Sequence, residues 1–370
     1  MTSPSIRLSG AVMTHPKRVA AARALSDGLP ELGLQVVVDP QPEAPPAALR
    51  TARLAWAAVG PDATHHLVLQ DDAVPAADFL RRLEPLVAAR PDAALSLFTE
   101  WGSRTSHVVR IAALLGYTMA PVVDDYIPAV GLVLPAEVAR GFEEYARAKL
   151  DGRDHDDVAL LDYLSDLGVE TVIPVAGLVD HREDISLVGN NVMGNRSATC
   201  FPPAGTVPAG PHSLLTAPAT VPYYDFWGQY SDACVPDESS VDGRERSSAR
   251  AWLLERSVTH PEMMALLEEA LARHPQREFL VDRLSEIVLG EVWIVAFLLG
   301  VIAAEHAREV GRPLDFAAPL AKAALATFGP GAVRRVVPAR WLPTVGSVLE
   351  PLVLDGVRAG AARENARTSA

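Results

Sequence analysis

The ten residues His65–Val74, HHLVLQDDAV, constrain this chain more than any other stretch. An apolar strand, Leu67–Leu69, runs into two adjacent carboxylates, Asp71 and Asp72, and Pro75 follows closely. In open α/β sheets, ligands bind beyond the carboxyl ends of the strands. Carboxylate oxygens suit Mg²⁺ or Mn²⁺, which are usually held by one or two carboxylates together with substrate phosphates. An acidic strand-end turn is the structural alternative, because Asp also favours turns and helix caps. The sequence on either side bears on that choice.

Before the acids, residues 6–13 alternate as a first strand. His15-Pro16-Lys17-Arg18 then open a helix to about Leu25, with proline where a first turn tolerates it. Leu34–Val38 is a second strand ending at Asp39-Pro40, Ala47–Ala58 reads as a helix, and His66–Leu69 is the third strand. Phe79–Ala89 is helical and Ala94–Phe98 is a strand. Strand and helix in strict alternation predict a layered α/β domain. Further strands are expected at Val130–Leu134 and Val169–Val175, with helices at Ala136–Leu150 and Val158–Leu167. Acids at Asp154, Asp156 and Asp157 crowd the start of the second of these helices, where capping and the helix dipole favour them. Leu178–Val188 leads out of the sheet.

From Pro202 to Pro222 the chain is rich in Pro, Gly, Ala and Thr, and beyond it long helical patterns dominate. The expected division is residues 1–205 as the α/β domain, 206–244 as a linker or wrapping segment, and 245–370 as a helical domain. Ile287–Ala304 is apolar except for Glu291 and two glycines. An acid inside a short apolar run argues for a core helix over a membrane span. Its nearest cover is expected from Pro261–Leu271 and Ala318–Phe328, with the dense aromatic patch Tyr223–Trp227 docking the domains.

Charge and cysteine content exclude some functions. With 46 acids against 33 bases the net charge is −13, which disfavours nucleic acid as a partner. Cys200 and Cys234 lie in no zinc-type spacing and make no disulfide framework, so a reduced, cytoplasmic compartment is expected. The N-terminus has no apolar segment of signal-peptide length, and no integral membrane segment is expected.

Several motifs now fall in a telling order. Thr14-His15-Pro16-Lys17-Arg18 follows strand one, Arg53 and Trp56 precede strand three, and LQDDAVP spans Leu69–Pro75. DHDD at Asp154–Asp157 and LVDHREDISLVGN at Leu178–Asn190 come later. Over residues 6–200 this resembles a bacterial glycosyltransferase of the GT-A fold, a layered α/β/α domain with a mixed sheet. The mostly α-helical C-terminal domain lies outside the resemblance. The resemblance implies a divalent metal, Mn²⁺ or Mg²⁺, held by an Asp-x-Asp element that here reads Gln70-Asp71-Asp72, so its first acid is replaced by Gln70. Asp72 matches the last acid, Asp71 serves the metal or the donor sugar, and His181 matches a late histidine that completes the metal shell.

By the same resemblance Asp157, with Asp156 next, matches the carboxylate that takes the acceptor's proton. Helix capping is the structural alternative for both. Thr14, His15, Arg18 and Arg53 are candidates for the nucleotide end, and Arg196 for clamping a phosphate. Trp101, Tyr117 and Tyr126 could shape an acceptor pocket, although core packing is the commoner fate of aromatics. The implied reaction moves a sugar from a nucleotide-sugar donor, with uridine the expected base, to a small-molecule, glycan or peptide acceptor carrying a hydroxyl, with inversion. Two other functions stay open. A nucleotidyltransferase shares the layered fold but would want a glycine-rich phosphate loop, and Met13–Arg18 contains no glycine. A non-catalytic scaffold that binds a partner through the helical domain is kept open by Gln70. The helical domain is also a candidate surface for pairing two copies of the chain.

Overall fold

The computed structural model describes residues 6–45, 47–149, 155–182, 190–207, 210–240 and 243–369. The chain begins with β1 (Leu8–Thr14), α1 (Val19–Asp27), β2 (Gln35–Val38) and α2 (Ala48–Ala57). Next come β3 (His65–Gln70), β4 (Ala73–Pro75), α3 (Phe79–Ala89) and β5 (Ala94–Ser96). Then follow α4 (Arg104–Leu114), β6 (Met119–Pro121), β7 (Gly131–Pro135), α5 (Ala136–Lys149) and α6 (Asp156–Leu167). After β8 (Thr171–Pro174) and β9 (Val179–His181) lie β10 (Val221–Asp225), β11 (Tyr230–Pro236) and β12 (Arg244–Ser248). Helices close the chain: α7 (Ala249–Leu254), α8 (His260–Arg273), α9 (Arg277–Arg283) and α10 (Glu286–Val310). The last are α11 (Pro319–Ala326), α12 (Phe328–Val333) and α13 (Leu342–Ser369).

These elements form two compact units. Residues 1–99, 124–191 and 201–212 make the first, and 100–123, 192–200 and 213–370 the second. The division therefore does not fall at one point near residue 205, because α4 and β6 pack with the later part of the chain.

The first unit holds six strands of a seven-stranded mixed sheet, in the order β2-β1-β3-β7-β5-β8. β1 runs parallel to both β2 and β3, β7 is antiparallel to β3 and β5, and β5 is parallel to β8. β3 is central because Leu67, Val68 and Leu69 are buried whichever face they point to. α2 covers one face with Leu49, Ala52, Ala55 and Trp56, spaced as one helical stripe, against Leu132, Leu134 and Phe142. The two histidines opening β3 are satisfied core groups. His66 bonds Ser9 Oγ at 2.8 Å and the Ala55 carbonyl at 2.9 Å, and His65 bonds the Pro91 carbonyl at 2.7 Å. The segment expected to lead out of the sheet forms β9, which pairs antiparallel with β4.

In the second unit, part of the stretch expected to be a linker folds into the antiparallel sheet β10-β11-β12. Tyr223, Tyr224, Tyr230 and Val235 are good strand formers, and the Pro-rich composition just before them hides the signal. α10 is the helix among the described residues that is long and apolar enough to cross a membrane, yet 94% of its apolar window is buried within the protein. Its principal cover is α13, not the Pro261–Leu271 and Ala318–Phe328 segments. Glycines explain the close approach: a Cβ on Gly300 would strike the Val357 carbonyl, and one on Gly360 the Phe297 carbonyl. Glu291, the acid inside this helix, accepts from the Ser231 amide (2.9 Å) and hydroxyl (2.7 Å) and from Arg250 (2.5 Å). Burial opposes its ionisation, but Arg250 and Ser231 outweigh it and hold the carboxyl below its usual range.

Candidate functional site

Sheet register builds the site in the first unit. β1 and β3 are parallel and their last paired residues are Met13 and Gln70, so one step further places Thr14 beside Asp71. There the Thr14 hydroxyl donates to Asp71 Oδ2 at 2.5 Å. Arg18 comes from the 3-10 turn Pro16–Arg18, whose start is fixed by the His15 imidazole accepting from the Lys17 amide at 3.2 Å. Its Nη1 reaches Asp71 Oδ1 and Asp72 Oδ2, each at 3.1 Å. The β4–β9 ribbon supplies the fourth side. Ala73 pairs with His181, the Arg182 amide donates to the Asp72 carbonyl at 2.8 Å, and His181 Nε2 lies 3.3 Å from Asp72 Oδ2. Thr14, Asp71, Asp72 and His181 are all buried.

Electrostatically the cluster is poised. Desolvation raises the Asp71 carboxyl above its usual value despite the hydrogen bonds from Thr14 and Arg18, and the neighbouring Asp72 adds to the rise. Among the described residues, no set of three or more His, Cys, Asp or Glu side chains comes together as a metal-binding group. What is present is a carboxylate oxygen and an imidazole nitrogen facing one another. That pair suits a hard or borderline cation completed by a ligand's phosphate oxygens, and does not suit an all-protein cage.

The pair Asp156 and Asp157 reaches the same end of the sheet by another route. β7 runs antiparallel to β3, so it begins where β3 ends, and the Gln70 amide donates to the Val130 carbonyl at 2.9 Å. The segment before β7 therefore lies at this end, and the Ile127 amide donates to the Asp157 carbonyl at 3.1 Å. Thus the first turn of α6 is tied to the carboxyl end of β3. Asp156 is buried, and desolvation followed by the Asp157 charge pushes its carboxyl up to about 7. Asp157 is partly exposed. Asp154, grouped with them in the sequence, lies outside the described residues, as do Glu183 and the stretch to residue 189.

Other candidates lie elsewhere. Arg53 is on α2 and pairs with Glu143 of α5 at 3.2 Å, so it does not join the strand-end cluster. Tyr126 belongs to the first unit, half-buried just before Ile127. Trp101, Tyr117 and Arg196 belong to the second. There Trp101 Nε1 donates to the Asn195 carbonyl at 3.1 Å, its own carbonyl accepts from Arg110 at 2.8 Å, and Arg312 stacks on Tyr117 at 4.3 Å. These are the contacts of packing residues.

Two features escaped the sequence reading. Asp39, at the carboxyl end of β2, donates its amide to the Thr14 carbonyl (2.9 Å) and is gripped bidentately by Arg50 (2.7 Å twice). Its signal was present in VVVDP, a second strand running into an acid. In the second unit, the buried Arg334 pairs with Glu100 and also donates to the Met193 carbonyl at 2.9 Å. Those partners lie 234 and 141 residues apart in the chain, so no local pattern could have joined them. Compared with known proteins, the chain matches no family model and no curated protein sequence.

Proposed function

We propose that this protein is a metal-dependent glycosyltransferase of GT-A-like fold, taking a sugar from a nucleotide-diphosphate donor to a hydroxyl-bearing acceptor by direct displacement. The observation that carries this reading is the convergence of Asp71, Asp72, His181, Arg18 and Thr14 at one end of a mixed sheet, from segments 170 residues apart in the chain at most. Asp72 Oδ2 and His181 Nε2 are the groups that would hold Mn²⁺ or Mg²⁺. The cation, when bound, would neutralise the diphosphate leaving group. Asp71, oriented by Thr14, faces the donor side of that pair. The acids of α6 lie at the same end of the sheet, and Asp157 is the more accessible. As base, Asp157 removes the acceptor hydroxyl's proton while the acceptor oxygen bonds to the anomeric carbon. The bond from that carbon to the phosphate oxygen breaks, and the diphosphate leaves with the electron pair. Arg53, engaged with Glu143, has no part in this assignment.

The test is donor binding to the Asp72→Ala variant. A nucleotide sugar that stabilises the native chain against heat in the presence of Mn²⁺ should lose that effect in the variant, while its melting temperature without ligand stays close to native. Unchanged Mn²⁺ dependence in the variant would remove Asp72 from the metal. Gln70 in place of an acid favours a second reading, a scaffold that keeps the fold without the reaction. Slow Mn²⁺-dependent hydrolysis of nucleotide sugars separates the two, since a transferase leaks donor to water and a scaffold does not.

A further inference from the structure

The oxygen that faces His181 is already claimed. Asp72 Oδ2 lies 3.3 Å from His181 Nε2 and accepts from Arg18 Nη1 at 3.1 Å, and the same nitrogen donates to Asp71 Oδ1 at 3.1 Å. One guanidinium nitrogen thus ties both acids, in a cluster whose two aspartates are buried. We infer that Arg18 is a counter-ion that exchanges with the divalent cation: it holds Asp71 and Asp72 together before metal binds, and turns to the donor's diphosphate when metal takes Asp72. The inference rests on the metal-dependent reading above.

The physical argument is one of exclusion followed by reuse. A cation ligated by Asp72 Oδ2 and His181 Nε2 would stand at about 2.0–2.6 Å from each, the usual range for such bonds. A guanidinium nitrogen hydrogen-bonded to the same oxygen would then face a double positive charge across a poorly screened gap. That repulsion weakens the Arg18 contact at Asp72 when metal enters and favours the guanidinium turning away. Arg18 ends the 3-10 turn Pro16–Arg18 and its side chain is 17% exposed, so its reorientation breaks no strand pairing. A planar guanidinium matches phosphate oxygens bidentately, and a metal-bound diphosphate is the nearest anion able to replace the lost carboxylate. Metal and diphosphate would then bind cooperatively, because each makes the other's partner available. Linkage requires that coupling to be reciprocal.

The experiment is a pair of titrations on the full chain, native and Arg18→Gln, with Mn²⁺ followed by electron paramagnetic resonance and uridine diphosphate by calorimetry. In the native chain, saturating uridine diphosphate should tighten Mn²⁺ binding. Arg18→Gln should bind Mn²⁺ alone more tightly, by about tenfold, the scale of one charge-assisted hydrogen bond removed from competition. In the same variant uridine diphosphate should bind the Mn²⁺-loaded protein more weakly, and the coupling should shrink. A merely structural arginine would weaken both ligands together. Arg18→Lys, which keeps the charge but not the planar fork, should leave Mn²⁺ affinity near native and still weaken the diphosphate. Mn²⁺ affinity unchanged or reduced in Arg18→Gln overturns the exchange, as does an absence of coupling in the native chain. If the native chain binds no Mn²⁺ even with uridine diphosphate present, the metal-dependent reading itself falls and the exchange with it.

Discussion

Two acidic sites, one in each unit, bury charge in opposite ways. In the first, Asp71 and Asp72 gather at the end of a sheet and share Arg18, with Thr14 on Asp71 and His181 beside Asp72. In the second, Glu291 sits inside the central helix, with Arg250 and both donors of Ser231 closing around it. Glu100 and Arg334 pair in the same manner, with Gly102 and Gly194 leaving the space that arginine needs. A fully partnered buried pair specifies packing and is costly to break on one side. Acids crowded together at a strand end contribute little to packing and raise each other's energy, which is what the proposed cation site requires. The contrast predicts that removing an acid at the sheet end costs chemistry, and removing Glu291 costs stability.

The largest effect expected is at Asp157. If it is the base, Asp157→Asn should lower turnover by about 10²–10⁴-fold with donor affinity nearly unchanged. Its melting temperature should remain near native, because the partly exposed carboxylate makes few packing contacts. Steady-state kinetics on a donor identified by thermal shift, with the melting curve beside them, checks both halves. Near-native turnover would move the role to Asp156, and a collapse in stability would erase the contrast between the units.

A smaller effect, and of the other kind, is expected at Glu291. Glu291→Ala strands the Ser231 amide and leaves Arg250 without its carboxylate. Breaking a buried pair costs about 3–5 kcal/mol, and since the Arg250 side chain is 36% exposed and can turn to water, about 2–3 kcal/mol is expected here. Urea unfolding measures it. A loss under 1 kcal/mol would mean that Glu291 is no more structural than the strand-end acids.

How much of this could be read from residues alone depends on how local the cause was. Strand, helix and strand in alternation over residues 6–98 announce an α/β sheet because each element carries its own period. The acids at Asp71 and Asp72 are legible because Leu67–Leu69 points at them. His181 reaches Asp72 only through the β4–β9 pairing, and there the order of motifs along the chain stood in for a contact that spacing cannot give. Arg18 was placed on the nucleotide side but not between the two acids, since its position depends on where a 3-10 turn ends. The second unit was least legible. A β-sheet behind a Pro-rich stretch, a helix pair joined through Gly300 and Gly360, and the return of α4 to the later chain all depend on partners far away in sequence.

A pH-dependent effect tests the boundary between the two kinds of charge, because Asp156 belongs to the first unit yet is buried like Glu291 of the second. Desolvation, and then the adjacent Asp157, raise its carboxyl from an ordinary 3.8 to about 7, and the backbone amides at the start of α6 only partly oppose this. A carboxyl raised on folding binds its proton more tightly in the folded chain than in the unfolded one. It therefore contributes stability fully below about pH 4, and that contribution is lost as pH rises toward 7. Asp156→Asn cannot ionise, so the difference in stability between variant and native should grow in the variant's favour from pH 4 to 7 and then level off. The gain should be complete by pH 8, above the raised value, where the native carboxyl is ionised in the folded and unfolded chain alike. Melting temperatures of both proteins across pH 4–8 measure the difference directly, and titrating groups remote from Asp156 cancel in it, leaving Asp156 and its neighbour Asp157. Parallel curves would show that Asp156 is held ionised by its surroundings, and it would then be a structural acid of the Glu291 kind.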